Sequence, residues 1–282
     1  MNDFTIGFWN YTAIERQDES AVADWTGLGM TLAMSPEFSA DPAHAARMDR
    51  ILDAAHAAGV SVTLCHAHGY WRNLTEKGEE GYRREFAAAA ARFGTHPAVF
   101  GFHVGDEPGS AEFGDACRAA RIQKELAPKL RPFLNLLPWH PGSEGRVGYQ
   151  DWGTYLDEFI ARSGVDVLCY DCYSQMNKPD SAWGWDMYFR NLCYYEASAR
   201  RAGIPWWTTL LSVGHFLYRC PNEDDFRWQV NTTLNRIGWL AKEAPVLRGD
   251  GWSALRGEDF IRVTPWLAPV QAELYRVDDG GK

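Results

Sequence analysis

The chain is predicted to fold as an α/β protein of the (β/α)8 type, a TIM barrel that is irregular or incomplete at its eighth strand. Three observations predict it. Strand-like apolar runs alternate with helix-like runs at intervals of about 25 to 40 residues. The strand-like runs are apolar throughout, as in a parallel sheet covered by helices on both faces. Seven such repeats follow one another without a Pro/Gly-rich linker, and a length of 282 residues suits a single barrel. One domain over 1–282 is therefore expected, with 241–282 as an irregular C-terminal segment. No G-x-G-x-x-G follows a strand, which argues against a doubly wound dinucleotide-binding sheet.

The elements follow in order. Phe4 to Trp9 is the first strand, Ala21 to Leu28 a short helix, and Met30 to Met34 the second strand. Asp41-Pro42 opens the next helix, because proline at the first helical position gives up an N–H that has no partner there anyway. Met48, Ile51, Leu52 and His56 carry that helix to its stop at Gly59. Val60 to His66 is the third strand, and an alanine-rich helix covers Tyr82 to Phe93. The fourth strand carries Asp106-Glu107. A helix over Ala111 to Leu126 leads to the fifth strand, Pro132 to Leu137. The helix from Asp151 to Arg162 ends at Gly164, and the sixth strand is Val165 to Tyr170. Met187 to Arg201 forms a long helix before Gly203 and the seventh strand, Ile204 to Val213. Asn222 caps a further helix with Asp225 at its third position. After Leu240 only Phe260 to Thr264 or Glu273 to Val277 can serve as an eighth strand. Either closes the barrel irregularly, or a segment has been lost between Leu234 and Asn235.

Hydrophobic residues make up 46% and charged residues 23%, the balance of a soluble globular protein. A net charge of -9 argues against nucleic acid as a partner. No apolar stretch approaches the roughly 20 residues that span a membrane, so no membrane partner is expected. The N-terminus has no basic region followed by an apolar one, so a cytoplasmic setting is expected, with secretion open if a leader was trimmed. Cys65, Cys169 and Cys193 sit in apolar runs and read as buried thiols. The aromatic share is high, with 13 Trp, and flat apolar faces of that kind fill cores or line ligand clefts.

The run Phe100-Gly101-Phe102-His103-Val104-Gly105-Asp106-Glu107-Pro108 is the most informative segment. An apolar strand ends in two adjacent carboxylates, which cost free energy when buried and therefore point to chemistry. Their structural alternative is capping of the helix that begins near Gly109 to Glu112. In a barrel the site lies at the C-terminal strand ends. Read in order, those ends supply Trp9, Glu37, His66 and His68, Asp106-Glu107, Trp139, Asp171 with Tyr173, and His215. With His103, these are the candidate site residues.

Asp106-Glu107-Pro108 resembles the strand-four motif of the glycoside hydrolase superfamily of (β/α)8 barrels, the clan that keeps an acid/base glutamate there in an Asn-Glu-Pro motif. The resemblance spans roughly residues 4 to 240 and is specific at that motif and in strand order. It implies an oligosaccharide or other small-molecule substrate, Glu107 as general acid, and Asp106 near the sugar hydroxyls. The clan's nucleophile is a glutamate after strand seven, and here that strand ends Leu211-Ser212-Val213-Gly214-His215 with no carboxylate. Asp171 or Glu37 then becomes the second carboxylate. A wide gap of about 6.5–9.5 Å from Asp171 to Glu107 would give inversion of configuration. Tyr173, His103 and His215 would line the pocket with Trp9 and Trp139. No cofactor and no metal is required by this chemistry. Two alternatives stand beside it: a metal-dependent hydrolase that uses His66, His68 and His103, and a barrel that binds sugar without cutting it.

Overall fold

The computed structural model describes residues 5–10, 12–177, 182–214 and 217–240. The chain forms two compact units, one of Met1–Asp171 with Ala197–Thr209, the other of Cys172–Glu196 with Leu210–Lys282.

The first unit holds a sheet of seven parallel strands, β1 (Gly7–Phe8), β2 (Leu32–Met34), β3 (Ser61–Leu64), β4 (Val99–Asp106), β5 (Arg131–Leu136), β6 (Leu168–Asp171) and β7 (Trp206–Thr209). Each strand pairs with the next in chain order. Such an order is what successive right-handed βα units produce in a TIM barrel. Both candidates for an eighth strand, 260–264 and 273–277, lie outside the described residues, as does His215.

The connecting helices are α1 (Ala21–Gly27), α2 (Pro42–Ala57), α3 (Trp71–Phe93), α4 (Phe113–Leu126), α5 (Ser143–Val147), α6 (Trp152–Ser163), α7 (Ala182–Ala202) and α8 (Glu223–Leu240). Asp41 accepts from Ala43 N at 2.7 Å just before Pro42, so a side-chain oxygen takes up one of the free N–H groups of the first turn of α2. Asn222 and Asp225 bond each other's backbone N–H, both at 2.9 Å, a reciprocal cap at the start of α8. α3 begins eleven residues before the alanine-rich stretch, at Trp71, and its two parts meet at Gly78, whose φ is 69°. The first part carries too few periodic apolar residues to read as a helix, yet it delivers Trp71 and Arg72 to the strand ends. Cys193 is exposed, not buried, on a helix whose apolar residues are not confined to one face.

Inside the sheet, Met34, Cys65, Phe133 and Cys169 form a buried cluster, with Trp9 and Trp207 packed against it. These alternate positions point inward, so Phe102 faces outward and meets Phe86 of α3 at 5.1 Å. In the second unit the Gln229 side chain clamps both the N–H (2.8 Å) and the carbonyl (3.1 Å) of Leu211, and the Tyr188 hydroxyl bonds Thr232 at 2.9 Å. Among the described residues, no helix is long and apolar enough to cross a membrane.

Candidate active site

Three strand ends converge on one asparagine. Asp106 at the end of β4 pairs in register with Asn135 of β5, which pairs in turn with Cys169 of β6. Residues paired across parallel strands face the same side, so the carboxyl of Asp106 and the amide of Asn135 share the barrel mouth. Asn135 is buried, and its Nδ2 donates to Asp106 Oδ1 at 3.0 Å and to Asp171 Oδ1 at 2.7 Å. The amide oxygen faces the Cys169 thiol at 3.6 Å. Both amide hydrogens are therefore committed to two carboxylates, which fixes the spacing between those acids.

Glu107 joins them by a backbone device. Its φ of 46° is the only positive value of a non-glycine among the described residues. Its N–H donates to the Asn135 carbonyl at 2.9 Å. A side chain in the left-handed region costs on the order of 1 kcal/mol, and such residues cluster at functional sites. One residue before Asp106, Gly105 has φ 150°, and a Cβ there would sit 1.6 Å from the Trp71 ring. The Trp71 ring thus occupies the space that a side chain at position 105 would need. β4 also shifts register against β5 between His103 and Gly105.

Burial raises the Glu107 carboxyl to about 7. The charges of Asp171 and Asp106 add to the rise, Arg146 opposes it, and a side-chain hydrogen bond with Asp171 favours the neutral acid. Asp106 is raised too, by burial first. The Asn135 hydrogen bond works against that rise, Asp171 adds to it, and Arg72 lowers it. Asp106 still keeps open surface at the mouth, although protein atoms crowd its other sides. The result is a carboxylic acid that holds its proton near neutral pH in contact with a second carboxyl. The capping alternative has no support, since α4 starts after Glu112 with no side-chain cap.

The other predicted residues divide. Glu37 is exposed, and the Tyr70 hydroxyl donates to it at 3.2 Å. Trp9 stands edge-on to His103 at 5.1 Å, and Tyr70 does the same at 5.2 Å. His103 is 3% exposed, and its ring nitrogens have no hydrogen-bond partner of good geometry. Burial pushes it down to about 4. It floors the site and does not line open space. His66 turns outward against Phe38 (4.9 Å) and Phe93 (5.9 Å), because Cys65 takes the inward position. Burial first, then His68, lowers it to about 4. Its Nδ1 accepts from the His68 N–H at 3.1 Å, while His68 Nε2 lies 3.6 Å from Glu85. The His66 and His68 rings meet edge to face at 4.9 Å, whereas His103 packs against Trp9 and Tyr70, so the three do not converge, and among the described residues no group of three metal-capable side chains forms. The metal-hydrolase alternative loses its ligand set on that geometry. Trp139 is half-buried and donates to Glu144 at 3.1 Å. Tyr173 belongs to the second unit, where its ring meets Tyr218 at 5.2 Å.

Sequence reasoning missed Asn135, Tyr70, Arg72 and Arg146. Asn135 had a readable signal, a lone amide in the apolar run Phe133-Leu134-Asn135-Leu136-Leu137. Replacing Asn135 with leucine removes the amide donor shared by Asp106 and Asp171. Asp106, whose rise the amide opposes, should then be raised further from its ordinary value. The acid limb of a pH–rate profile would show it, and an unmoved limb would mean that the amide does not set the acids' charge.

Neither a family model nor a curated protein sequence matches the chain. Solved structures do. A β-galactosidase from the psychrophilic Marinomonas ef1 superposes with a TM-score of 0.57 at 12% identity, over 82% of this chain and 52% of that one. A β-glycosidase gives 0.53 at 16%, over 80% and 73% of the two chains. A glycoside hydrolase family 5 protein from Bacteroides vulgatus gives 0.53 at 12%, over 83% and 56%. The likeness is one of fold. The chain spans about half the length of the galactosidase it matches.

Proposed function

We propose that this barrel hydrolyses a glycosidic bond, with Glu107 as general acid and Asp171 as its carboxylate partner. What supports the reading is the Glu107 carboxyl, raised to about 7 by burial and by the charges of Asp171 and Asp106, and sharing a side-chain hydrogen bond with Asp171 at the mouth of a parallel barrel. Glycoside cleavage needs one carboxyl that keeps a proton for the leaving oxygen and one that meets the positive charge developing at the anomeric carbon. In the first step Glu107 gives its proton to the glycosidic oxygen, the C–O bond breaks, and Asp171 bonds to the anomeric carbon. In the second, Glu107 takes a proton from water, whose oxygen displaces Asp171. Asp106, held by Asn135, is placed to accept from a sugar hydroxyl. Trp9, Trp139 and the Tyr70–Glu37 pair supply the remaining rim. The fold neighbours, which include a β-galactosidase and a β-glycosidase, support a carbohydrate substrate.

Asp171 is the better partner than Glu37 because it bonds Glu107 directly, whereas Glu37 is engaged by Tyr70. The side-chain hydrogen bond between Glu107 and Asp171 favours a closer pair than the wide gap of an inverting enzyme. The two carboxyls must part to admit the glycosidic oxygen, and the retaining separation of about 5–5.5 Å needs the smaller movement. Retention of anomeric configuration is therefore expected when a panel of aryl α- and β-glycosides is followed by proton NMR of the first-formed sugar. An inverted product would remove Asp171 as nucleophile. Binding of oligosaccharides by calorimetry with no turnover across the panel would favour the non-catalytic barrel.

A further inference from the structure

We infer that Cys169 is a positioning residue: its thiol holds the Asn135 amide in the one orientation that serves Asp106 and Asp171 together. This role rests on the reading of the acids given above and adds to it the residue that stands behind them. Cys169 is 3% exposed and acts through Asn135, from beneath the mouth of the barrel.

Asn135 is the hub of the acid cluster. Its Nδ2 donates to Asp106 Oδ1 at 3.0 Å and to Asp171 Oδ1 at 2.7 Å, and its backbone carbonyl accepts from the Glu107 N–H at 2.9 Å. A side-chain amide has a donor end and an acceptor end of nearly the same shape, so half a turn about its Cβ–Cγ bond exchanges them. Turned round, Asn135 would aim an oxygen at the two acids. Ionised carboxylates resist that arrangement. A carboxyl that has gained a proton does not, because its O–H can donate to the amide oxygen. In the proposed reaction Asp171 also gives up its negative charge when it bonds to the anomeric carbon. The acids alone therefore do not hold the amide through a full cycle.

Cys169 supplies the missing constraint. It pairs in register with Asn135 across β5 and β6, so the two side chains project from the same face of the sheet. The thiol lies 3.6 Å from Asn135 Oδ1, at the other end of the amide from the two acids. Cys169 is a free, buried cysteine. Burial first, then the charges of Asp171 and Asp106, push its thiol well above the ordinary value, so the sulfur keeps its hydrogen while the acids titrate. It is a donor toward that oxygen in each protonation state of the cluster. Sulfur is a poor acceptor, so a reversed amide would gain little from it. Even a weak donor counts where the alternative is a buried carbonyl oxygen with none.

Cys169 also fills space beside Met34, Cys65 and Phe133, so the test separates donor from volume. Cys169→Ser keeps a donor and Cys169→Ala removes it; Cys169→Thr and Cys169→Val repeat the contrast at larger volume should the first pair not fold. Carbon-13 NMR of protein labelled at the aspartate carboxyls, with Asp106 assigned by its loss in Asp106→Asn, reads the acid without any turnover. The Asn135 amide bond opposes the rise of Asp106, so its midpoint should move above wild type in Cys169→Ala and return in Cys169→Ser. The Asn135 side-chain N–H signals, assigned by their loss in Asn135→Leu, should exchange with solvent about tenfold faster in the alanine variant only. On a glycoside that is turned over, kcat should fall about tenfold in Cys169→Ala with KM near wild type, and recover in Cys169→Ser. An Asp106 midpoint and Asn135 exchange rate unmoved in the variant without a donor would overturn the inference. Equal displacement in both members of a pair would do the same, since volume would then be the cause. Both NMR readings are independent of hydrolysis, so a protein that cleaves no glycoside sinks the proposed function and still decides the role of Cys169.

Discussion

Replacing Glu107 with glutamine is expected to lower kcat/KM on glycosides of poorly acidic alcohols by about 10²–10⁴-fold, the usual weight of a general acid. Glutamine keeps the size and can still donate a hydrogen bond, but it has no proton to transfer. The loss should depend on the leaving group. A dinitrophenolate leaves without protonation, so activity on dinitrophenyl glycosides should fall far less than on alkyl glycosides. The pH profile supplies the sign. Burial and the neighbouring acids raise the carboxyl to about 7, so the proton is present below that pH and lost above it. Wild-type kcat/KM should therefore decline as pH rises through about 7, and that limb should vanish in the glutamine variant. Equal losses on both leaving groups would assign Glu107 a binding or structural role.

Substituting Gly105 with alanine should be a strongly damaging change away from the substrate. An added Cβ would lie 1.6 and 1.8 Å from two carbons of the Trp71 ring, at a φ of 150° that disfavours any side chain. Trp71 is 3% exposed, so the ring has no free space to retreat into. Overpacking combined with backbone strain should destabilise by about 3 kcal/mol or more. The same change at Gly29 tests backbone strain alone, because φ there is 75° and nothing lies within 4 Å of the new carbon. Gly29→Ala should cost about 1 kcal/mol. Denaturant melts of the two variants against wild type measure the contrast. Matching midpoints for Gly105→Ala and Gly29→Ala would mean that Trp71 does not pack as described.

The architecture was legible because each repeat states its own boundaries. Asp41-Pro42 and Asn222 with Asp225 mark helix starts, and Gly59 and Gly164 mark ends with φ of 73° and 69°. The seven apolar runs correspond to seven strands in the expected order. Their lengths were less legible: β1 keeps two residues of the run from Phe4 to Trp9, because apolar character marks burial and not pairing. At the site, strand-end position alone brought Asp106, Glu107 and Asp171 onto one short list, and they meet around Asn135. The histidines were harder to place. Strand alternation depends on register, and a single inward Cys65 sends His66 to the outer layer. The register shift in β4 and the positive φ of Glu107 are tertiary outcomes with no local signature. Arg72 and Arg146 escaped notice because exposed arginines are common.

Glu107 is expected to hold its proton up to about pH 7 because it is enclosed and lies beside Asp171 and Asp106. Carbon-13 NMR of protein labelled at the glutamate carboxyl, with Glu107 assigned by its disappearance in Glu107→Gln, measures that directly. A titration midpoint near 7, falling when Asp171 is replaced by asparagine, is the expected result. The midpoint belongs to the coupled pair, so both samples are needed. A midpoint near 4.5, the ordinary value of an exposed glutamate and indifferent to Asp171, would contradict it.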